Sequence, residues 1–367
     1  MERSGRLDNQ GTKALVGAAA LIIVIAGLKA SATLLVPVVV AVFLSLLAVP
    51  PMRWLQARGL PAPLAIAVVM LVATIIVLLV TGLVGQSVAR LQDQLPLYRS
   101  RLDAITAHAV GWLRDLGVKA APEELSKKIG TSEIMDLVAA TASGLVSALS
   151  NVFLVIFTMI FALLEASGFR RKLAVAMGKN ADAELTEWSR ISEQVQRYLA
   201  IKAQVSLATG ILVVILCLAL GVDFPFLWGL LAFLFNFVPN IGSLIAAAPA
   251  CLLAVVQLGA VSALILAAGY AGINLVIGNI VEPRMMGRRL GLSTLVVFLS
   301  LLFWGWVWGP VGMLLSVPLT VIVKIVLEHS EEFRWLSILL GPGDDVPPPR
   351  LPKKAELIAP EPPEPTD

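Results

Sequence analysis

The sequence predicts an all-α, polytopic transmembrane protein, and three observations carry that prediction. Of 367 residues, 58% are hydrophobic and only 14% are charged. The charges gather into a few intervals: none falls between Gly59 and Ala89, between Leu137 and Leu164, or between Leu290 and Val323, and Ala203 to Val281 holds only Asp223. Pro and Gly then cut parts of the C-terminal apolar stretches into pieces too short for a simple crossing. A hydrocarbon core about 30 Å thick takes about 20 apolar residues of helix, so the uncharged intervals hold several spans.

Six apolar segments have the length of a span, near 14–29, 31–50, 62–87, 144–166, 203–221 and 260–280. The first follows the polar stretch MERSGRLDNQGTK and carries no convincing cleavage site, so it reads as a retained helix and not a signal peptide. Residues 1–87 thus form an N-terminal three-helix membrane unit. Residues 88–143 are more polar, and Tyr98, Leu102, Ile105, Ala109, Trp112 and Leu116 repeat there at spacings of four and three, one apolar stripe on a helix. The fourth span, 144–166, leads to a second amphipathic region, 167–202, with Leu185, Trp188, Ile191, Val195 and Tyr198 in a similar stripe. Each stripe fits a helix packed on its own chain or on lipid, and also a contact between subunits.

Residues 203–328 form the C-terminal membrane core. Besides two long spans it holds four shorter apolar segments, near 224–238, 243–257, 293–308 and 311–327. They pair into helical hairpins, 224–257 broken at Val238-Pro239-Asn240-Ile241-Gly242 and 293–327 broken at Trp308-Gly309-Pro310. Pro lacks an N–H donor and Gly takes backbone angles that other residues avoid, so the two together end a helix. Each hairpin is two thin spans or one re-entrant loop. The segment 329–367 is a tail, Pro-rich from about Gly341, with too little apolar content to bury a core and expected to be disordered.

Basic residues set the orientation. Arg3, Arg6 and Lys13 precede the first span, Arg53 and Arg58 follow the second, Arg170, Arg171 and Lys172 follow the fourth, and Arg284, Arg288 and Arg289 follow the segment ending near 280. With all of these in the cytoplasm only Lys29 lies in an outer loop, both termini are inside, 88–143 is extracytoplasmic and 167–202 is cytoplasmic.

The residue inventory excludes most chemistry. The two histidines, His108 and His329, lie outside the apolar segments, so neither an HExxH pair nor an intramembrane Ser/His dyad exists. Asp223 is alone in its region, where an aspartyl site needs two carboxylates. Cys217 and Cys251 sit in apolar segments and read as small buried hydrophobes, not as a disulfide or a metal site. No catalytic residue, metal site or cofactor is expected, and a net charge of +3 suggests no nucleic-acid partner. No Walker motif is present, so ATP is not the driver.

What the apolar segments do carry is uncharged polarity near the breaks. Asn236 and Asn240 flank the first one, and Asn274 and Asn279 come late in the 260–280 segment. An amide in lipid is costly unless it bonds another helix or faces water. Transporters build midplane sites from broken helices in this way, so Asn236, Pro239, Asn240, Gly242, Asn274 and Asn279 are the expected path or gating residues. Ser243 is placed to cap the helix that restarts after Gly242. Glu282 is either an ion-coupling group or the partner of Arg284, Arg288 and Arg289. Asp223, just before Phe224-Pro225, reads as a helix N-cap or an ion ligand. Gly309, Pro310 and Gly312 mark the second tip, where Gly305-x-x-x-Gly309 allows close helix packing and tryptophans favour the membrane interface.

Three stretches in register, FVPNIG at 237–242, GNIVEPRMMGRRLGL at 278–292 and GPVGMLLSVPL at 309–319, resemble those of the autoinducer-2 exporter family of bacterial membrane permeases. The resemblance runs from the first apolar helix to about Glu328 and leaves out the tail. It implies a polytopic protein of the bacterial inner membrane, in a family associated with export of the quorum-sensing signal autoinducer-2 and, in other members, with sodium or lithium exchange against protons. It also implies a homo-oligomer, a pentamer by family likeness. The expectation is therefore a secondary transporter exporting a small polar solute, with the two hairpins as moving or gating elements. A sodium or lithium/proton antiporter, and a membrane scaffold that transports nothing, are the alternatives.

Overall fold

The computed structural model describes residues 2–115, 131–149, 152–177, 181–239, 241–286, 292–328, 330 and 333–342. These are helical almost throughout, with no strand among them. The helices are α1 (Glu2–Ala30), α2 (Ala32–Ala57), α3 (Ala62–Asp115), α4 (Thr131–Leu149), α5 (Val152–Met177), α6 (Ala181–Leu220), α7 (Pro225–Phe235) and α8 (Gly242–Leu258). Then come α9 (Ala260–Val276), continued by a π turn over Ile277–Val281, α10 (Glu282–Met286), α11 (Thr294–Glu328) and the short α12 (Arg334–Leu340). Ala32–Ala57, Ala62–His108, Ser192–Leu220, Ala260–Met286 and Thr294–Glu328 are long and apolar enough to cross a membrane. Large apolar side chains such as Leu71, Leu78, Ile211 and Leu218 lie open on their outer faces, the arrangement a lipid solvent favours.

Two expected boundaries fall inside helices. α3 runs 54 residues without a break at 87, about 80 Å of helix, and α6 runs through 202. The change at both places is from apolar to polar, but Gln, Arg, Leu and Ala keep good helix propensity, so composition marks the membrane limit and not the helix end. Of the expected span 144–166, residues 144–149 belong to α4 and residues 152–166 to α5.

The C-terminal part of α3 packs against α4. Tyr98 and Leu102 are buried in one core with Met135, Val138 and Ala142, and Arg99 pairs with Asp136 at 2.6 Å. Those two stripe positions therefore pack on their own chain, whereas Ile105 is exposed. In the other stripe Val195 and Tyr198 are buried with hairpin residues Trp304 and Val307. The rest of both stripes, the tail from residue 343, His329, Arg288, Arg289 and Asn240 lie outside the described residues or side chains.

Both hairpins form. α6 and α7 touch backbone to backbone at Gly210 and Gly229, where a Cβ on Gly210 would stand 2.8 Å from the Gly229 carbonyl oxygen. This close approach seats Leu227, Trp228 and Leu231 in the core with Val213 and Cys217. Between α7 and α8 the chain turns over 236–241, with Val238 N–H donating to the Phe235 carbonyl at 2.9 Å and Ile241 N–H to that of Pro239 at 2.7 Å. Gly242 is required at the restart, since any Cβ there would overlap the Phe235 carbonyl oxygen. At the base, Gln257 Nε2 donates to the Gly221 carbonyl and its Oε1 accepts the Asp223 N–H, so the hairpin enters and leaves at one end of the bundle.

The second hairpin lies within α11. Gly309 has φ 64° and ψ −146°, a conformation open essentially to glycine alone. There the helix folds back on itself: Trp304 Nε1 donates to Thr320 Oγ1 at 3.0 Å, although 16 residues of straight helix would separate them by about 24 Å. Pro310 follows the reversal, and Gly312 is buried so tightly that a Cβ would overlap the Trp304 carbonyl oxygen. The base of this hairpin is tied to α12 by Ser293 N–H donating to the Leu340 carbonyl at 3.0 Å.

Candidate functional site

The first hairpin leans on a polar face of α6. Lys202, Ser206, Thr209 and Val213 follow one another at spacings of four and three and so share one side of the helix. Three of the four are polar and all are buried. Asn236, at the end of α7, donates from Nδ2 to Ser206 Oγ at 2.9 Å, with both side chains buried. That bond sets the hairpin tip about 21 Å along α6 from its end at Leu220 and only about 6 Å from Lys202.

Beside this contact lies a small cavity lined by Thr209, Asn236, Ser243, Tyr270 and Asn274, with Val213, Ala232, Ala246 and Ile273 completing the wall. It has about 10 Å³ of space, enough for about one water molecule. Its polar lining is wholly uncharged: two amides and three hydroxyls. Tyr270 is 6% exposed, and its hydroxyl is the one buried side-chain polar atom among the described residues without a hydrogen-bond partner. A buried hydroxyl left unpaired is costly, so its retention points to a ligand or water that completes it.

At the far end of the same column Glu282, at the start of α10, is ion-paired to a residue that the sequence did not suggest. Glu282 bonds Lys202 of α6, with Nζ 2.6 Å from Oε1, while Arg284 is exposed. The side chains of the pair are 6% and 18% exposed. Four residues of helix put Lys202 one turn from Ser206, and 80 residues of sequence separate it from its partner, which is why the local arginines looked like the better match.

Asp223 lies at the opposite end and is not a helix cap. Phe224 occupies the N-cap position of α7, with φ 59°, and no side chain caps the helix. The Asp223 carboxylate instead accepts from the Tyr98 hydroxyl of α3 at 2.6 Å. Gln94 Oε1 lies 2.6 Å from the same hydroxyl, so two acceptors converge on its single proton. Trp228 Nε1 donates to the Asp223 carbonyl at 2.7 Å, so side chain and backbone are both held.

Ser243 does not cap α8 either. The N-cap is Ile241 without a side-chain bond, and Ser243 faces the cavity. Of the expected path residues, Asn236 and Asn274 line the cavity, Pro239 and Gly242 shape the turn next to it, and Asn279 is exposed and does not line it. The second tip lies elsewhere. Trp308 Nε1 donates to the Leu28 carbonyl at 3.0 Å and Lys29 Nζ sits 3.8 Å over the Trp306 ring, so Gly309 and Pro310 end against the turn between α1 and α2.

Sequence reasoning passed over Lys202, Ser206, Thr209 and Tyr270. A signal for the first three was present, because their spacing of four and three carries a polar stripe from the amphipathic stretch into the apolar one. Tyr270 gave less: one aromatic in AAGYAGIN, with nothing local to reveal that its hydroxyl is buried.

The profile of a family described as AI-2E family transporter matches residues 19–332. The chain is 38% identical over 331 residues to the AI-2 transport protein TqsA of Escherichia coli K12, covering 90% of this chain and 96% of that one. It is 38% identical over 338 residues to a putative transport protein of Haemophilus influenzae, covering 91% and 97%. With the putative transport protein YhhT of E. coli K12 the identity is 36% over 336 residues, covering 92% and 96%.

Proposed function

The chain belongs to the AI-2E transporter family, and from that premise we propose that this multi-pass membrane transporter exports a small polar solute of the autoinducer-2 type. One observation carries the choice of solute class: the cavity at the first hairpin tip offers amides and hydroxyls and no charge, with one hydroxyl unpaired. Such a lining hydrogen-bonds a small neutral molecule and offers a full ionic charge no counter-ion. In this reading Asn236, Asn274, Tyr270, Thr209 and Ser243 contact the solute as it passes, and Pro239 and Gly242 hold the turn that presents them. Asn279, on the exposed side of the π turn, serves a subunit contact in a homo-oligomer, a pentamer by family likeness. The positive-inside pattern supports an inner-membrane protein with both termini in the cytoplasm and with the α3–α4 extension outside. The scaffold alternative draws no support from a family of transporters.

The test is efflux from proteoliposomes loaded with a panel of labelled solutes, small polyols and furanones beside charged analogues, with and without proton and sodium gradients. Saturable efflux of the neutral molecules that is lost in Gly242→Leu supports the reading. Equal leakage from protein-free vesicles for every solute contradicts it. A second reading, sodium or lithium exchange for protons, is favoured by the partly buried carboxylate of Glu282. It predicts cation-driven proton movement without any solute, abolished in Glu282→Gln.

A further inference from the structure

We propose that Lys202 and Glu282 form a proton-operated gate at one end of the polar column, with Glu282 as the proton acceptor. The inference rests on the transport reading of that column and adds its control. The pair joins α6 to the start of α10 at 2.6 Å and closes the column one helical turn from Ser206 and about 10 Å from Thr209 in the cavity wall. Directly before Glu282 the helix passes through the π turn at Ile277–Val281. A π turn holds its carbonyls less tightly than an α turn and is a place where a helix changes register. The closing contact is thus mounted directly after the one π turn among the described residues.

The charge balance supplies the trigger. With Glu282 ionised the pair is neutral overall and tolerates burial. When the carboxylate takes up a proton, an O–H bond forms on Glu282 and Lys202 keeps its three protons, so the buried site goes from net zero to +1. An ammonium with no counter-ion is poorly tolerated there, and Lys202 moves toward water, parting α6 from α10. Loss of the proton restores the carboxylate and the closed pair. Among the described residues, neighbouring groups do not duplicate the role. Tyr198, one turn before Lys202 on α6, is a buried phenol near Glu282, and Arg284 on α10 is exposed. From the other helices packed on α6, α2 carries Arg53 and is followed by Arg58, α5 carries the exposed Glu165–Lys172 pair, and α11 the Lys324–Glu328 pair. Glu193 on α6 is exposed.

The test reads opening without relying on flux. In the full chain with the free Cys217 and Cys251 replaced by serine, Ser206→Cys puts one thiol just inside the gate. Its reaction with a membrane-impermeant maleimide is followed in proteoliposomes from about pH 8 to about pH 5, each rate divided by that of the unfolded protein at the same pH to remove the thiol's own titration. The gate predicts a normalised rate that rises about tenfold or more as pH falls, and one that is already high and flat in Glu282→Gln. The exchanged pair, Lys202→Glu with Glu282→Lys, restores the slow rate at high pH. A flat normalised rate with the native pair overturns the gate, whether or not the variants fold. So does a Glu282→Gln protein that folds and labels as slowly as the native pair at high pH. Flux that persists with flat labelling removes the gate and leaves the transport reading. Labelling that responds to pH in a protein that moves no solute does the reverse.

Discussion

The first hairpin ends inside the bundle, where Asn236 bonds Ser206 and a polar cavity opens beside the turn. The second ends at the bundle's edge, where Trp308 bonds the Leu28 carbonyl and Lys29 covers Trp306. Both breaks are made of Pro and Gly, and both glycines next to them are crowded by the opposite arm. The bases face opposite ways: the first is clasped by Gln257 beside the end of α6, the second is tied to α12 near Leu292, in a core shared with Val195 and Leu199 from the earlier part of α6. The same backbone device thus serves two purposes, and the side chains around each tip decide which. Amides and hydroxyls leave the first tip able to bind and exchange partners, whereas indole rings fix the second.

The largest effect expected from breaking this contrast is at Gly242. Gly242→Leu forces a side chain into the Phe235 carbonyl, so the turn opens and solute efflux from proteoliposomes is abolished while the protein remains in the membrane. Next is Gly309→Ala, which strains a backbone conformation reserved for glycine and costs about 1 to 3 kcal/mol of stability, read as a lower midpoint of thermal unfolding in detergent. Efflux per folded molecule stays near the native value, because the second tip is an anchor. Asn236→Ala removes the bond to Ser206 and leaves that hydroxyl buried and unpaired, a loss of about 1 to 2 kcal/mol. It also lowers efflux, and this joint loss of stability and transport separates the first tip from the second.

Much of this was legible in the sequence. Apolar length gave the membrane class, Pro and Gly gave both hairpins, and the expense of burying an amide drew attention to four asparagines, of which Asn236 and Asn274 line the cavity. The partners were not legible. Lys202 reaches Glu282 across 80 residues and Tyr98 reaches Asp223 across 125, and no local pattern encodes such contacts. Reasoning from neighbours in the chain could therefore offer Glu282 only the nearby arginines as partners, and Asp223 only the helix that follows it. The continuity of α3 and α6 across 87 and 202 was not legible for a related reason: hydrophobicity reports the solvent around a helix, while its length depends on backbone propensity and packing.

The measurement that bears most directly on the contrast compares Tyr270→Phe with Trp308→Phe, reading both thermal unfolding and solute efflux in each. Tyr270→Phe deletes a hydroxyl that has no partner within the protein, so it leaves the unfolding midpoint unchanged or raises it, and lowers efflux about tenfold or more if that hydroxyl bonds the solute in passage. Trp308→Phe deletes the bond to Leu28, costs about 1 kcal/mol of stability and leaves efflux per folded molecule unchanged. The opposite outcome, native efflux from Tyr270→Phe and lost efflux from a stably folded Trp308→Phe, would move the transport site from the first hairpin to the second.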